Sequence, residues 1–524
     1  MTRTRAPLAL VAPAGAAVAL VLLPLAYLVV RAAGGGIDAL RVLERGGTFE
    51  LIVDTGLLVA AVVAGACAVG LPLAFLVTRT DLPARRALAV LAPLPLVIPS
   101  YVAALALLGA FGPRGLLQRV LEPLFGVERL PEIYGFFGAW LALTLSTYPY
   151  VFLLVAASLR TLDPSLEEAA RGLGHGRWSV FRRVTLPTLR PPLAAASLLV
   201  ALYALSDFGA VSLMQYDALT RSIYLQYRSL FDRTPAAVLS LVLVALTIAL
   251  LLLEARTRRG GAVRAGTRPA ARIPLGAWRY PALAFAVAAV GLFLVVPLAV
   301  LVYWSARAIP LGYGIEIAWK PALSSLVVSG LAAAAAVVAV LPVAFVSRRY
   351  PGALTHWLER LAYTGNALPG IVIALALVFF AANYVPFLYQ TLALLVFAYI
   401  VRFFPQALAP VGAALDAVNP RLEEAARGLG HGPLAVIARV TAPLISPGLL
   451  AGAALVFLNS MKELPATLLL RPIGFETLAT EIWKYTALGS YSRAAPPALL
   501  LILVSAPFVY VLATRRGSTA ASPG

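Results

Sequence analysis

Residues 167–176 read Glu-Glu-Ala-Ala-Arg-Gly-Leu-Gly-His-Gly, and residues 423–432 repeat the same ten letters. One copy falls in each half of the 524-residue chain, and both are polar islands between long apolar stretches. A chain built from two related halves, each offering the same handle on one side of a membrane, would carry such a pair. The flanking sequence supports this. At the same offset Pro149 matches Pro405, Pro164 matches Pro420, Pro187 matches Pro443, Pro191 matches Pro447 and Asp207 matches Glu463. Earlier in each half the offset is longer. There Leu71-Pro72-Leu73-Ala74-Phe75 matches Leu341-Pro342-Val343-Ala344-Phe345, Arg79 matches Arg349 and Pro99 matches Pro369. An outer-loop insertion around Gly112–Tyr134 accounts for the change of offset.

Composition sets the solvent. The chain is 61% hydrophobic and 12% charged, whereas soluble domains carry about 25% charged residues. So much apolar surface calls for lipid. The net charge of +19 is spread over short loops between apolar runs, which fits a positive-inside bias rather than nucleic-acid binding. The single cysteine, Cys67, excludes an internal disulfide and leaves no zinc or iron–sulfur spacing. A basic N-terminus, Met1–Arg5, precedes apolar sequence from Pro7 to Val30. That run exceeds the roughly 7–15 residues of a signal-peptide core, so an uncleaved first span with the N-terminus inside is expected.

Apolar stretches fall near 7–30, 51–77, 87–110, 136–159, 193–213, 236–253, 280–303, 322–346, 366–383, 388–404, 448–470 and 496–514. Helices are expected, because a span must satisfy its own backbone in lipid. The fold class is therefore an all-α membrane protein of about twelve transmembrane helices in two homologous six-helix halves. An even number of spans per half makes the repeat parallel, with a central path between the halves. With both termini cytoplasmic, roughly two thirds of the Lys and Arg lie on the inner side. The expected division is 1–254, a basic linker 255–279 whose segment Arg256–Arg272 lacks apolar periodicity, and 280–524.

Each repeated island reads as a capped knob. Asp163-Pro164 and Asn419-Pro420 are helix starts, with acids in the first turn. Leu166, Ala169, Ala170 and Leu173 follow at helical spacing, and Gly172, Gly174 and Gly176 end the helix. A second short helix is expected to end at Pro187 or Pro443. As plain structure the element would be a capped amphipathic linker. Identity in both halves points instead to a surface presented to a partner.

Glu168-Ala169-Ala170, Gly174, Val184, Leu186 and Pro187 resemble the EAA loop of ATP-binding-cassette importer permeases, as do Glu424-Ala425-Ala426, Gly430, Val440 and Pro443. Both copies carry Val where the family has Ile, and Ala442 stands where the family has Leu. The resemblance implies a type I importer of MetI-like fold. The loops 163–187 and 419–443 would dock on an ATPase, with Glu168, Ala169, Ala170, Gly174, Glu424, Ala425, Ala426 and Gly430 as the coupling residues. It also implies a homodimeric ATP-binding subunit and an extracytoplasmic substrate-binding protein as partners in the inner membrane. Leu205–Met214, Met461–Pro472 and Phe475–Thr480 look like the iron(III) branch. The branches for thiamine, polyamines and phosphonates share the plan. In this family the binding protein usually carries the cargo-defining ligands.

Asp207 and Glu463 are repeat-equivalent acids at membrane depth, with Lys462 beside the second. Such residues usually face a cavity or a partner, so the three are candidate pathway residues, and two acids would favour a cation such as ferric iron. On the structural reading, Lys462 neutralises Glu463 and Asp207 caps a helix break before Gly209. Asp54 is placed near the outer interface, and Tyr101, Tyr148, Tyr150 and Trp140 as packing or interface aromatics. His175, His356 and His431 share no metal-ligand spacing. The chain has no Gly-x-x-x-x-Gly-Lys-Ser/Thr phosphate loop, so no catalytic residue, metal or cofactor is expected and ATP hydrolysis is assigned to a separate subunit. A gradient-driven twelve-span carrier would not need the doubled knobs. A membrane-embedded enzyme would need a catalytic cluster that the sequence does not offer.

Overall fold

The computed structural model describes residues 7–518, except 35, 37–40, 43, 45, 113–114, 127–129, 230–233, 258–271 and 313–315. Met1–Arg5 and most of the expected linker lie outside the described residues. The described chain is helical throughout, with one isolated parallel bridge between Thr80 and Ile273. Among the described residues eight helices are long and apolar enough to cross a membrane, or up to eleven if each sharply bent pair is one span. The twelfth expected span, 496–514, falls on the helix Tyr491–Ser518.

In the first half Gly46–Arg79, Phe136–Thr161 and Arg190–Ser206 pack on one another. Glu316–Arg349, Leu392–Ala417 and Ser446–Met461 do the same in the second. Small residues allow the close approach, as expected where lipid gives helices no hydrophobic drive to associate. A Cβ on Gly70 would lie 2.8 Å from the Tyr148 carbonyl oxygen, and one on Gly452 would lie 3.2 Å from that of Ala407.

The first helix of each half packs across the boundary. Leu8–Gly34 lies against Glu316–Arg349 and Gly370–Tyr384, and Val296–Ala308 lies against Ser100–Phe111. The Trp304 indole donates to the Gly109 carbonyl at 3.0 Å. A second tie joins the halves where Ile273 N–H donates to the Arg79 carbonyl at 2.8 Å and Leu275 N–H to Asp81 at 2.9 Å. In the insertion of the first half the amphipathic helix Leu116–Phe125 has no buried residue, and the Arg119 guanidinium stacks over Trp304.

Four expected spans are broken rather than continuous. The stretch 87–110 is a short helix Arg85–Leu91, a 3-10 turn Leu94–Val97 and the helix Ser100–Phe111. In the second half Ala353–Ala367 meets Gly370–Tyr384 at 102°. Proline forces both breaks: the preceding residue is pushed out of the helical region, and Ile98 and Leu368 are extended. The stretches 193–213 and 448–470 also break, at Asp207 and at Lys462–Leu464.

Gly70→Ala is expected to lower stability by about 1–3 kcal/mol through overpacking, whereas Gly56→Ala in the same helix meets nothing within 4 Å. Thermal unfolding in detergent should show a lower midpoint for the first variant only.

Candidate functional site

The knobs form as the sequence expects at their ends. Ser165 N–H donates to the Asp163 carboxylate, and Arg421 N–H to the Asn419 side chain, each at 3.0 Å. The Ser165 backbone contact holds the exposed Asp163 carboxyl below its ordinary range. The helices Ser165–Gly172 and Pro420–Gly428 stop where Gly174 and Gly430 turn left-handed, at φ +83° and +85°. His175 N–H then reaches back to the Ala170 carbonyl at 3.1 Å, and His431 N–H to that of Ala426 at 3.2 Å.

Beyond the stop the second helix ends within one residue of the expected Pro187 and Pro443, but it is not a plain α-helix. It winds through a π turn, Phe181–Thr185 or Ile437–Thr441, and runs on to Thr188 or Leu444. It then bends by 59° or 67° into the next span. Proline near the start of a helical segment has no N–H to lose, so the π turn and bend absorb it.

The two adjacent glutamates of each copy take opposite roles. Glu168 and Glu424 are exposed, as are Ala169, Gly174, Ala425 and Gly430; Ala170 is half-buried and Ala426 buried. Glu167 and Glu423 are only 3% and 2% exposed. The Arg79 guanidinium donates to Glu167, and the Thr185 hydroxyl donates to the other carboxylate oxygen at 2.7 Å. In the second half Arg349 donates to Glu423 at 3.0 Å, and the Thr441 hydroxyl donates to the same carboxylate at 3.2 Å. Both arginines close the last turn of a long span, Gly46–Arg79 or Glu316–Arg349, where a cation also suits the helix dipole. The knob is thus bolted to the foot of a membrane helix. Sequence reading missed this clamp, although the Arg79–Arg349 match and the Glu-Glu doubling were its signals. The clamped knob turns outward Leu173 and Leu429, both 81% exposed.

The broken spans meet around a cavity of about 490 Å³ lined by both halves. Asp207 and Glu463 sit at the breaks and cap the helices beyond. Ala210 N–H donates to Asp207 at 2.9 Å, and Ala466 N–H to Glu463 at 3.3 Å. The expected cap at Asp207 is present, and Ser100, just past Pro99, adds its hydroxyl. Lys462 does not neutralise Glu463. Arg402 does, at 2.9 Å, because the break turns Lys462 the other way, to donate to the Leu96 carbonyl of the first half at 3.0 Å. Arg402 and Ser100 were not anticipated, although Arg402 is a charge inside an expected span. The cavity lining therefore matches two acids with two bases, so the acids alone do not specify a cationic cargo. No group of three or more His, Cys, Asp or Glu that could hold a metal occurs among the described residues. Tyr148 and Tyr101 are buried and Tyr150 lines the cavity.

Removing one partner of a buried ion pair costs about 3–5 kcal/mol. Glu167→Ala should therefore release the knob 163–187 to limited proteolysis and lower the unfolding midpoint. Glu168→Ala, one residue on and exposed, should change neither.

The family profile described as "Binding-protein-dependent transport system inner membrane component" matches the chain twice, at residues 66–259 and 330–514. The chain is similar to the Fe(3+)-transport system permease protein FbpB 2 of Haemophilus influenzae, with 34% identity over 502 residues, 94% of this chain and 95% of that protein. It is also similar to the ferric transport system permease protein FbpB of Actinobacillus pleuropneumoniae, 24% identical over 78% of this chain and 63% of that protein. The molybdenum transport system permease protein ModB of Escherichia coli is 34% identical over 27% of this chain and 60% of its own length. With its paired knobs, broken spans and two matched halves, the chain belongs to the family of binding-protein-dependent transport system inner membrane components.

Proposed function

We propose that this chain is the fused, two-half permease of an ATP-driven importer for ferric iron. The full-length likeness to a permease named for Fe(3+) transport supports the cargo. The coupling role rests on one observation: two identical ten-residue segments, each clamped through a buried glutamate and each exposing the second glutamate, the alanine after it and a leucine. An ATPase homodimer has two equivalent clefts for such a pair. Small exposed residues admit close approach, and Leu173 and Leu429 offer apolar surface whose burial against a partner is favourable.

In this mechanism ATP closes the ATPase dimer and moves both knobs. Because Arg79 and Arg349 tie the knobs to the long helices, the movement is passed to the two halves, which rock about the central cavity. Cargo arrives from a binding protein at the opposite face, where 214–235 and 471–495 are the contact loops, and leaves toward the cytoplasm. The chain itself hydrolyses nothing. Both termini are cytoplasmic, and the working division is 1–254, the linker 255–279 and 280–524.

The test is uptake of radiolabelled ferric iron by proteoliposomes containing this chain, its ATPase and its binding protein. Uptake that needs both ATP and the binding protein is expected. Hydrolysis stimulated by the binding protein without iron uptake would move the cargo to thiamine, polyamines or phosphonates. Uptake driven by an ion gradient without an ATPase would overturn the class. Glu168→Gln with Glu424→Gln should lower ATP-dependent uptake about tenfold or more, as loss of charge-assisted contacts at an interface does. Normal uptake by that double variant would remove the coupling role.

A further inference from the structure

Features found in both halves serve the shared architecture: the Arg–Glu–Thr clamp, the proline break and the capping carboxylate. Features found in one half call for a different explanation, and the cavity holds a pair of them. At the repeat offsets, Lys462 corresponds to Ser206, Arg402 to Ser146 and Leu96 to Asn366. Both cavity cations therefore belong to the second half alone.

Their situations differ. Arg402 is paired with Glu463. Lys462 forms no ion pair among the described residues, and its ammonium donates to the Leu96 carbonyl. An ammonium carries three donors, so one carbonyl leaves N–H capacity in a cavity wall at membrane depth, where an unneutralised charge is costly. The acids cannot take up that capacity. Asp207 is engaged by the Ser100 hydroxyl and Ala210 N–H, and Glu463 by Arg402 and Ala466 N–H. A bare metal ion entering the cavity would meet carboxylates already in use, and no three-ligand cluster among the described residues. The cavity of about 490 Å³ is of the size that holds small organic molecules.

We propose that Lys462 forms an oxyanion subsite in the central cavity, which takes a carboxylate or phosphate group of the cargo. Resting on the ferric-iron reading, this means that the metal crosses with its anionic ligand rather than stripped. Lys462 pairs with the ligand's oxygen, and the ligand, not the permease, satisfies the metal. Arg402 holds Glu463 away from Lys462 and so keeps the ammonium free for the cargo.

The test uses the permease–ATPase complex in nanodiscs. Equilibrium dialysis would follow three probes separately: radiolabelled ferric citrate, citrate alone and inorganic phosphate. Saturable binding of ferric citrate is expected. It should fall about tenfold or more in Lys462→Gln and stay within about threefold in Lys462→Arg, which keeps the charge. Lys462→Gln retains a donor for the Leu96 carbonyl, so a lysine that merely straps the halves together predicts unchanged binding in that variant. Citrate or phosphate bound alone with the same dependence on Lys462, and no preference for the ferric complex, would support the oxyanion subsite and withdraw iron as its source. Equal binding by the wild type and Lys462→Gln, or no saturable binding of any probe, would overturn the proposal. So would proteoliposomes that accumulate iron without labelled citrate, although that result would leave the ferric-iron reading standing.

Discussion

A buried ion pair at the foot of each half governs how the rest of the molecule can work. Arg79 and Glu167 lie 88 residues apart and are both nearly inaccessible to solvent. Such a pair adds little net stability over an apolar contact, because both charges must be desolvated. Its worth lies in direction. A guanidinium fork meeting a carboxylate, with Thr185 or Thr441 on the same carboxylate, holds the knob helix in one orientation on the end of a membrane span. An apolar contact would allow the knob to slide. The same device appears twice with the same three residue types.

The second constraint is the cost of interrupting helices in lipid. Four spans are broken, two in each half, and each break leaves backbone N–H groups without intrahelical partners. Asp207 and Glu463 supply acceptors at two of the breaks, and the prolines at 99 and 369 set where the other two begin. Because the breaks of both halves converge, the polar groups that heal them also line the cavity. The same residues therefore close the backbone and make an aqueous path possible. This dual use explains why a carboxylate stands at equivalent places in both halves while the cations stand in only one.

The halves are not separable bodies side by side. Leu8–Gly34 packs on helices of the second half and Val296–Ala308 on a helix of the first. Val296–Ala308 also packs on Tyr491–Ser518 of its own half, and Leu8–Gly34 on Thr234–Thr257, so these helices bridge the two halves. The Arg79–Ile273 backbone tie fixes the end of the linker to the same foot that carries the first clamp.

Sequence by itself determined the solvent, the helical class, the duplication, the caps and the glycine stops of the knobs. Each is a local property: hydropathy along a run, a cap beside its helix, a left-handed turn that asks for glycine at 174 and 430. It also singled out Asp207, Glu463 and Lys462, which line the central cavity. Only the tertiary structure decided which glutamate of each Glu-Glu pair is buried, that Arg402 rather than Lys462 neutralises Glu463, and that the first helix of each half also packs on the other half. Neighbours in sequence gave the wrong partner for Glu463 because a helix break swings adjacent side chains apart. Charges buried in a membrane pair with whatever helix end the fold brings near, and that end comes from a distant part of the chain.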